Sequence, residues 1–96
     1  MTAVVVTRTA QRDLETLIRT YSLPPTTQER FKRSIQHLVR FPRIGAPLHG
    51  PWERFRFILG PWRWMIVVYE YDEEADRVAI ATIQDGRATR AATSAP

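Results

Sequence analysis

Apolar residues recur in two different patterns along the first forty positions. The apolar run at residues 3–6 is typical of a short strand. Two stretches with helical spacing follow, one made by Ala10, Leu14, Leu17, Ile18 and Tyr21 and the other by Phe31, Ile35, Leu38 and Val39. Pro24 and Pro42 end these predicted helices. Thr26 and Glu29 have capping-box spacing, which predicts that the Thr26 side chain caps the second helix.

The middle of the chain is predicted to form a β-hairpin. Two runs rich in aromatic and β-branched residues, Glu53–Leu59 and Trp62–Tyr71, flank the dipeptide Gly60-Pro61. A two-residue turn of type II′, with positive φ at Gly60, fits this break. A turn of this length also sets the register of the two strands, since every residue of one strand then has a defined partner on the other.

Alternation along this hairpin predicts one apolar face and one basic face. The apolar face, which the helices need as a packing partner, consists of Phe55, Phe57, Leu59, Trp62, Trp64, Ile66 and Val68. The other face carries Arg54, Arg56 and Arg63, with Arg63 diagonal to Arg56. Guanidinium groups that share an open face repel one another unless an anion lies among them. Because arginine suits bidentate phosphate recognition, we expect a phosphate-binding surface there.

The remaining segments complete the predicted fold. Arg43–Pro51 holds two glycines and two prolines and is expected to be a loop, and Arg77–Ile83 alternates like a strand after an acidic turn. The order βααβββ predicts an α+β fold with a four-stranded, largely antiparallel sheet and two helices packed on one face. We expect one domain at residues 1–87 and a flexible C-terminal tail at residues 88–96.

Composition and charge narrow the class of protein. The chain has 96 residues, enough for one small domain, and no cysteine, which excludes disulfides and favours a reducing cytoplasm. No stretch predicts a membrane span or a signal peptide. Five of the ten acids lie within residues 70–76, and thirteen of the fourteen basic residues are arginines. A GC-rich genome would explain the abundance of arginine but not its placement on one hairpin face.

About half of the chain carries a pattern of residues that is known from a protein family. The pattern consists of Leu38, Phe41, Pro42, Arg43, Gly45, Leu48, Gly50, Arg54, Ile58, Gly60, Arg63, Val68, Tyr69, Tyr71, Asp72, Ile83, Asp85, Gly86 and Arg87. In these positions the chain resembles the RelE/ParE superfamily, the toxins of bacterial type II toxin–antitoxin pairs. The resemblance implies a cytoplasmic protein that arrests growth. It also implies a cognate antitoxin that wraps over the sheet edge and helices, often displacing the C-terminal part of the toxin.

The resemblance implies one of two activities. RelE-like members cleave messenger RNA in the ribosomal A site without metal, whereas ParE-like members poison DNA gyrase. The nuclease branch has a basic pair on the second strand, arginines that open the third strand and close the fourth, and a C-terminal tyrosine. The arginines of this chain that match are Arg54, Arg56, Arg63 and Arg87. No tyrosine follows Arg87, and Thr93 stands at about the expected position.

These residues favour a ribosome-dependent messenger RNA endoribonuclease that needs neither metal nor cofactor. Fixed guanidinium donors would stabilise the charge that develops on the phosphate, which makes the four matching arginines the candidate catalytic residues. Arginine stays protonated and transfers protons poorly, so another group must do that work. The candidates within reach by sequence are Tyr69, Tyr71, Glu53 and His49. Substrate binding is predicted for Arg54, Arg56, Trp52 and His49.

Two alternatives remain open from the sequence. The chain fits a ParE-like gyrase poison, because Arg54 and Arg63 occupy positions that both branches share. It also fits a degenerate toxin that binds its antitoxin and has no activity on a target. The partner expected in all three cases is a cognate antitoxin protein. The expected target of the nuclease is the ribosome with its message, that of the gyrase poison is DNA gyrase, and the degenerate toxin has none.

Overall fold

The computed structural model describes residues 1–88 and 90–94. In chain order its elements are β1 (Ala3–Val6), α1 (Arg8–Thr20), α2 (Thr27–Ile35), α3 (His37–Arg40), β2 (Ala46–Pro47), β3 (Arg56–Leu59), β4 (Met65–Asp72) and β5 (Arg77–Asp85). The strands form one sheet in the order β1-β5-β4-β3-β2. Among the strands of the described residues, only β1 and β5 pair in parallel. The predicted α+β fold is confirmed, with a fifth strand because the expected loop contributes the short edge strand β2.

Helix α1 contains the predicted apolar pattern, and Thr7 connects the start of the helix to the sheet. The Thr7 Oγ1 atom accepts a hydrogen bond from the Ala10 backbone N–H at 3.2 Å and donates one to the Ile80 carbonyl at 2.7 Å. One hydroxyl therefore caps the helix and fixes its entry next to β5. Within the described part of the chain, no helix is long and apolar enough to cross a membrane.

The second predicted helix is present but is broken at Gln36 into α2 and α3. The capping box predicted for it is wrong, because Thr26 has φ −80° and ψ −1° and its side chain makes no capping hydrogen bond. An N-cap side chain reaches the first free N–H groups from extended backbone, which Thr26 lacks. The neighbouring Thr27 is buried instead, and its hydroxyl donates to the Pro24 carbonyl at 2.7 Å.

The helices pack on one face of the sheet, as predicted. The core on this face consists of Ala10, Leu14, Phe31, Ile35, Leu38, Met65, Val67, Tyr69, Val78, Ile80 and Ile83. Helix and strand residues thus bury each other's apolar side chains, which is the main stabilising term for a domain of this size.

The other face of the sheet is covered by the C-terminal segment. Ala91 and Ala92 are buried there against Ile66, Val68 and Leu48. The Ala92 backbone N–H also donates to the Gln84 side chain at 2.8 Å. The flexibility expected for residues 88–96 remains a prediction, and residues 89, 95 and 96 of that tail lie outside the described residues.

The hairpin has a different register from the predicted one. Leu59 pairs with Ile66, and Arg56 with Tyr69, so the connection is a wide loop over residues 60–64. Among the described glycines only Gly50 has positive φ, so the type II′ turn at Gly60 is wrong. The wide loop carries Trp62 and Trp64, which pack against the helix-side core, and burial of these rings favours it over a tight turn.

The predicted apolar face is divided between the two sides of the sheet. Of its residues, those that pack with the C-terminal segment are Phe55, Phe57, Ile66 and Val68, whereas those that pack with the helices are Trp62 and Trp64. The residues that alternate with Ile66 and Val68 on β4 also face the helices: Met65, Val67 and Tyr69. Strand β4 is apolar on both sides because both are covered. The predicted alternation of side chains between the two faces is therefore present in β4. The prediction that the helices pack on the face of Ile66 and Val68 is wrong.

Candidate functional site

The structure separates the predicted catalytic arginines into two groups at opposite ends of β3. Arg54 and Arg56 lie where the strand begins, and Arg63 lies in the loop beyond its end. At about 3.4 Å per residue the strand itself spans about 10 Å. The prediction that Arg63 lies diagonal to Arg56 on one shared basic face is therefore wrong, because it depended on the tight turn at Gly60.

Arg54 is exposed and lies on the same side of the sheet as the C-terminal segment. Its Nε atom lies 3.4 Å from a Glu70 carboxylate oxygen, and its guanidinium group lies over the Phe55 ring at 5.0 Å. Trp52, a predicted substrate-binding residue, packs edge-on against Phe55 with 5.7 Å between ring centroids. An exposed ion pair of this kind is worth at most about 1 kcal/mol, so Arg54 can still exchange Glu70 for a phosphate.

Arg56 holds a loop in place. Its Nη1 atom donates to the Gly45 carbonyl at 2.8 Å and to the Arg43 carbonyl at 3.3 Å. The Gly45 N–H donates in turn to the Tyr69 hydroxyl at 2.9 Å, and a Cβ atom on Gly45 would lie only 2.6 Å from that oxygen. The hydrogen bonds of the Arg56 side chain therefore stabilise the loop that contains Arg43 and Gly45. Tyr69 is fully buried, and burial raises its pKa, so it is a poor candidate for proton transfer.

Arg87 lies in a compact group that we call the Arg87 cluster: Tyr21, Trp64, Asp85 and Arg87. The Arg87 guanidinium makes a bidentate pair with Asp85 at 2.9 and 3.0 Å. It also lies over the Trp64 ring at 4.8 Å and the Tyr21 ring at 5.4 Å. The two rings are 5.0 Å apart, and the Tyr21 hydroxyl donates to Asp85 at 2.7 Å. The Asp85 carboxylate thus holds the Arg87 guanidinium group over the rings of Tyr21 and Trp64.

Protonation in the Arg87 cluster follows from these contacts. Hydrogen bonds from Arg87, with a smaller contribution from the Tyr21 hydroxyl, hold the pKa of Asp85 well below its usual range. The hydrogen bond to the Asp85 carboxylate raises the pKa of Tyr21. At neutral pH the cluster is therefore a carboxylate with two donors, and it has no group that is ready to accept a proton from a substrate.

Arg63 lies beside the Arg87 cluster. The Gly86 N–H donates to the Trp64 carbonyl at 2.6 Å, so Arg63 and Arg87 flank one backbone hydrogen bond. Arg63 is exposed, and no carboxylate of residues 1–88 and 90–94 lies within 4.0 Å of its guanidinium group. Within the predicted catalytic set, the backbones of Arg63 and Arg87 are therefore neighbours at the end of the β4–β5 pairing.

The predicted proton-transfer groups lie away from Arg63 and Arg87. Tyr71 is six residues along β4 from Met65, or about 20 Å, and its hydroxyl donates to Asp76 at 2.9 Å. Glu53 is exposed in the segment before β3, at the Arg54 end. His49 is exposed and borders a cavity of ≈ 230 Å³ between Phe57 and the C-terminal segment.

The same cavity borders Thr93, which stands at about the position where the resemblance predicts a tyrosine. Thr93 lines it together with His49, and a Cβ atom on Gly86 would lie 4.0 Å from the Thr93 hydroxyl. The threonine is thus close to the segment that precedes Arg87. Its short hydroxyl has an ordinary alcohol's acidity and cannot replace a phenol in proton transfer.

Tyr21 is the site residue that sequence reasoning missed. It ends the apolar stripe of α1, which predicts a core residue, yet it is 44% exposed and contacts Asp85 from 64 positions away. No local pattern announces such a contact. Among the described residues, no group of three His, Asp or Glu side chains could hold a metal ion.

Comparison with known proteins identifies the family to which the chain belongs. Residues 4–89 match the family model described as the ParE toxin of the type II toxin-antitoxin system parDE. The chain belongs to this family, which confirms the RelE/ParE resemblance and the toxin class. No curated protein matches the chain.

Solved structures extend the comparison. In the RelBE2 toxin–antitoxin complex of Mycobacterium tuberculosis, one chain is 26% identical over 88% of this chain and 96% of its own length, with a TM-score of 0.64. The conserved hypothetical proteins HP0892 and HP0894 of Helicobacter pylori are 11% and 13% identical, with TM-scores of 0.59 and 0.52. They match 88% and 86% of this chain and 94% and 92% of their own. The Helicobacter proteins share the fold.

Proposed function

We propose that this type II toxin arrests growth by binding its target without cleaving RNA, and that the target is DNA gyrase. The sequence alone favours RNA cleavage, and the distribution of the arginines supports the other branch better. Metal-free cleavage needs several donors aimed at one phosphate in a fixed arrangement. In this chain Arg54 and Arg56 are separated from Arg63 and Arg87 by the length of β3.

The existing partners of the arginines support the same proposal. Arg56 donates to two loop carbonyls, and Arg87 is paired in bidentate fashion with Asp85. These contacts use only part of each guanidinium group, but they orient it toward its present partners, so a phosphate would have to compete with them for bidentate binding. General acid–base catalysis typically raises a reaction rate about 10²–10⁴-fold. Tyr21, the phenol beside Arg87, already donates a hydrogen bond to Asp85.

The proposal also includes the protein that neutralises the toxin. The family is that of toxins from type II pairs, and the RelBE2 relative comes from a toxin–antitoxin complex. We therefore propose a cognate antitoxin as the binding partner, in the cytoplasm where gyrase acts. The net charge of +4 favours association with an acidic antitoxin.

Messenger RNA cleavage on the ribosome is the second candidate, and one observation favours it. Arg63 and Arg87 flank a backbone hydrogen bond beside the paired rings of Tyr21 and Trp64. Aromatic faces stack on unpaired bases and guanidinium groups bind the backbone, which suits single-stranded RNA. In this case Asp85 would have to release Arg87 when the message binds.

Two assays run side by side distinguish these functions. Purified toxin is added to a gyrase supercoiling reaction and to a reconstituted translation reaction whose message is read by primer extension. We expect supercoiling to be inhibited while the message stays intact, and Arg63→Ala to weaken the inhibition. Arg12→Ala, at an exposed position on α1, is the matched control.

Cuts within the reading frame that disappear in Arg63→Ala, with gyrase unaffected, would overturn the proposal in favour of RNA cleavage. A toxin without effect in either reaction, but still bound by its antitoxin, would be the degenerate toxin. Prior addition of the antitoxin should abolish any true effect, which guards against contaminating nucleases.

A further inference from the structure

Two large apolar side chains are exposed next to each other after α3. Phe41 and Ile44 are 57% and 59% exposed, and the Ile44 N–H donates to the Phe41 carbonyl at 3.1 Å, which closes a tight turn. A shallow groove of ≈ 270 Å³ runs over this turn, lined by Phe41, Pro42, Arg43 and Ile44. We call it the apolar groove. Exposed apolar surface of this kind marks interaction sites in soluble proteins.

A second groove adjoins the first and is basic. It has a volume of ≈ 500 Å³ and is lined by Arg33, Gln36, His37, Arg40 and Phe41. Phe41 borders both grooves, so they meet at its ring. No carboxylate of residues 1–88 and 90–94 lies within 4.0 Å of Arg33 or Arg40, so both cations face solvent unpaired within that range.

The turn that carries the apolar groove is held firmly from beneath. Arg56 donates to the carbonyls of Arg43 and Gly45, and the Gly45 N–H donates to the buried Tyr69 hydroxyl. Arg43 is further fixed by an ion pair with Glu73 and by its position over the Tyr71 ring at 5.1 Å. The exposure of Phe41 and Ile44 is therefore a feature of a well-anchored turn.

We infer that the apolar groove and the basic groove together bind an acidic peptide segment of a partner protein. A bulky aliphatic or aromatic side chain of that segment would fill the apolar groove, and Asp or Glu residues beside it would pair with Arg33 and Arg40. Charge complementarity favours an acidic partner. Arg43, the charged residue that lines the apolar groove, is paired with Glu73, so this groove suits an apolar protein side chain better than a phosphate backbone.

The inference rests on the proposed antitoxin as the partner, and the probe is the protein encoded beside the toxin gene. The complex is purified after co-expression, and the affinity of each toxin variant is measured by surface biosensor. The variants are Ile44→Asp for the apolar groove and Arg33→Glu with Arg40→Glu for the basic one. Leu59→Asp is the matched control for the first, because Leu59 is 50% exposed but lies at the end of β3. Arg12→Glu with Arg19→Glu on α1 is the control for the second.

We expect each test variant to bind at least 10-fold more weakly and each control to bind like the unaltered toxin. Circular dichroism and thermal unfolding check that Ile44→Asp and Leu59→Asp keep their fold. As a second measurement, a photocrosslinking amino acid at position 44 should attach to a partner peptide rich in Asp and Glu. Equal binding by test and control variants, or a crosslink to a basic peptide, would overturn the inference.

Toxicity in cells without the partner separates this inference from the proposed function. Ile44→Asp should remain toxic, because the surface serves the partner and not the target. Lost toxicity with unchanged partner affinity would assign the surface to the target and overturn the inference. Failure of the neighbouring protein to bind unaltered toxin would overturn it as well, whatever the gyrase assay reports. A second copy of the chain as occupant would appear as a dimer in light scattering of free toxin, and would also contradict it.

Discussion

At the scale of single residues, Arg56 joins two segments that are eleven residues apart, since its guanidinium donates to the Gly45 carbonyl. Hydrogen bonds from charged groups contribute about 1.5–3 kcal/mol each when a buried partner would otherwise be left unsatisfied. We expect Arg56→Ala to lower the free energy of unfolding by about 1–3 kcal/mol, measured by urea denaturation.

Arg54→Ala is the control for this prediction, because exposed ion pairs contribute only about 0–1 kcal/mol. Equal stabilities of the two variants would contradict the structural role of Arg56. If the prediction holds, lost toxicity in Arg56→Ala reflects a weakened fold. It would not identify Arg56 as a catalytic residue.

The Arg87 cluster predicts a dependence of stability on pH. The pKa of Asp85 is lowered in the folded protein, chiefly by Arg87, so folding favours the carboxylate form. The Asp85 contribution to stability is therefore complete above the unfolded pKa of about 4 and is lost as the pH falls below it. We expect the stability difference between unaltered protein and Asp85→Asn to shrink steadily from pH 5 toward pH 2, measured by denaturant unfolding.

Glu74→Gln serves as the comparison, because Glu74 is exposed in the turn between β4 and β5 and has no ion pair among the described residues. Its stability difference should stay near zero over the same range. A difference for Asp85→Asn that is independent of pH would show that Asp85 matters through packing and not through its charge.

Residue types were more predictable than residue contacts. Arginine at positions 54, 56, 63 and 87 follows from the family pattern, but their partners do not. Arg56 bonds to carbonyls that every residue has, and Tyr21 meets Asp85 only because α1 packs on β5. Such contacts depend on the assembled tertiary structure, and the spacing of residues along the sequence does not predict them.

At the scale of elements, the helices and strands follow from periodicity, whereas the hairpin register does not. The dipeptide Gly60-Pro61 favours a tight turn, yet the wide loop allows Trp62 and Trp64 to pack on the core. Burial of two large rings outweighs local turn preference, which is a small term. Strand β4 is apolar on both faces, so alternation could not say which face the helices would take.

The C-terminal segment is the element whose role is most open to test. Ala92 is 2% exposed against the sheet, so Ala92→Asp would bury a charge without a partner and should detach the segment. We expect faster limited proteolysis near the C-terminus and an unfolding free energy lower by about 1–3 kcal/mol. Thr93→Asp, at an exposed neighbouring position, should leave both unchanged. Proteolysis of the unaltered tail at the rate of Ala92→Asp would instead support the flexibility predicted from the sequence.

At the scale of the whole molecule, charge is distributed along the sheet. The acidic turn between β4 and β5 lies at one end of β4, and Arg63 and Arg87 lie at the other. Arg54 and Arg43 pair with Glu70 and Glu73 near the acidic end, which reduces the positive potential there. Of the two ends of β4, the end with Arg63 therefore keeps more unpaired positive charge, and Arg63 is the residue that the gyrase and translation assays test.

The parallel pairing of β1 with β5 has a consequence for how the toxin is made. Ala3 pairs with Arg77 and Val6 with Ile80, so β1 needs as its neighbour a strand that is synthesised much later. Helix α1 likewise packs on β5. A nascent chain cannot complete this sheet while β5 is still inside the ribosomal exit tunnel, since contacts so distant in sequence form only when both segments are free. The sheet of each new molecule is therefore completed only after β5 has left the tunnel, which leaves an interval in which the β5 edge of the early segments is still unpaired.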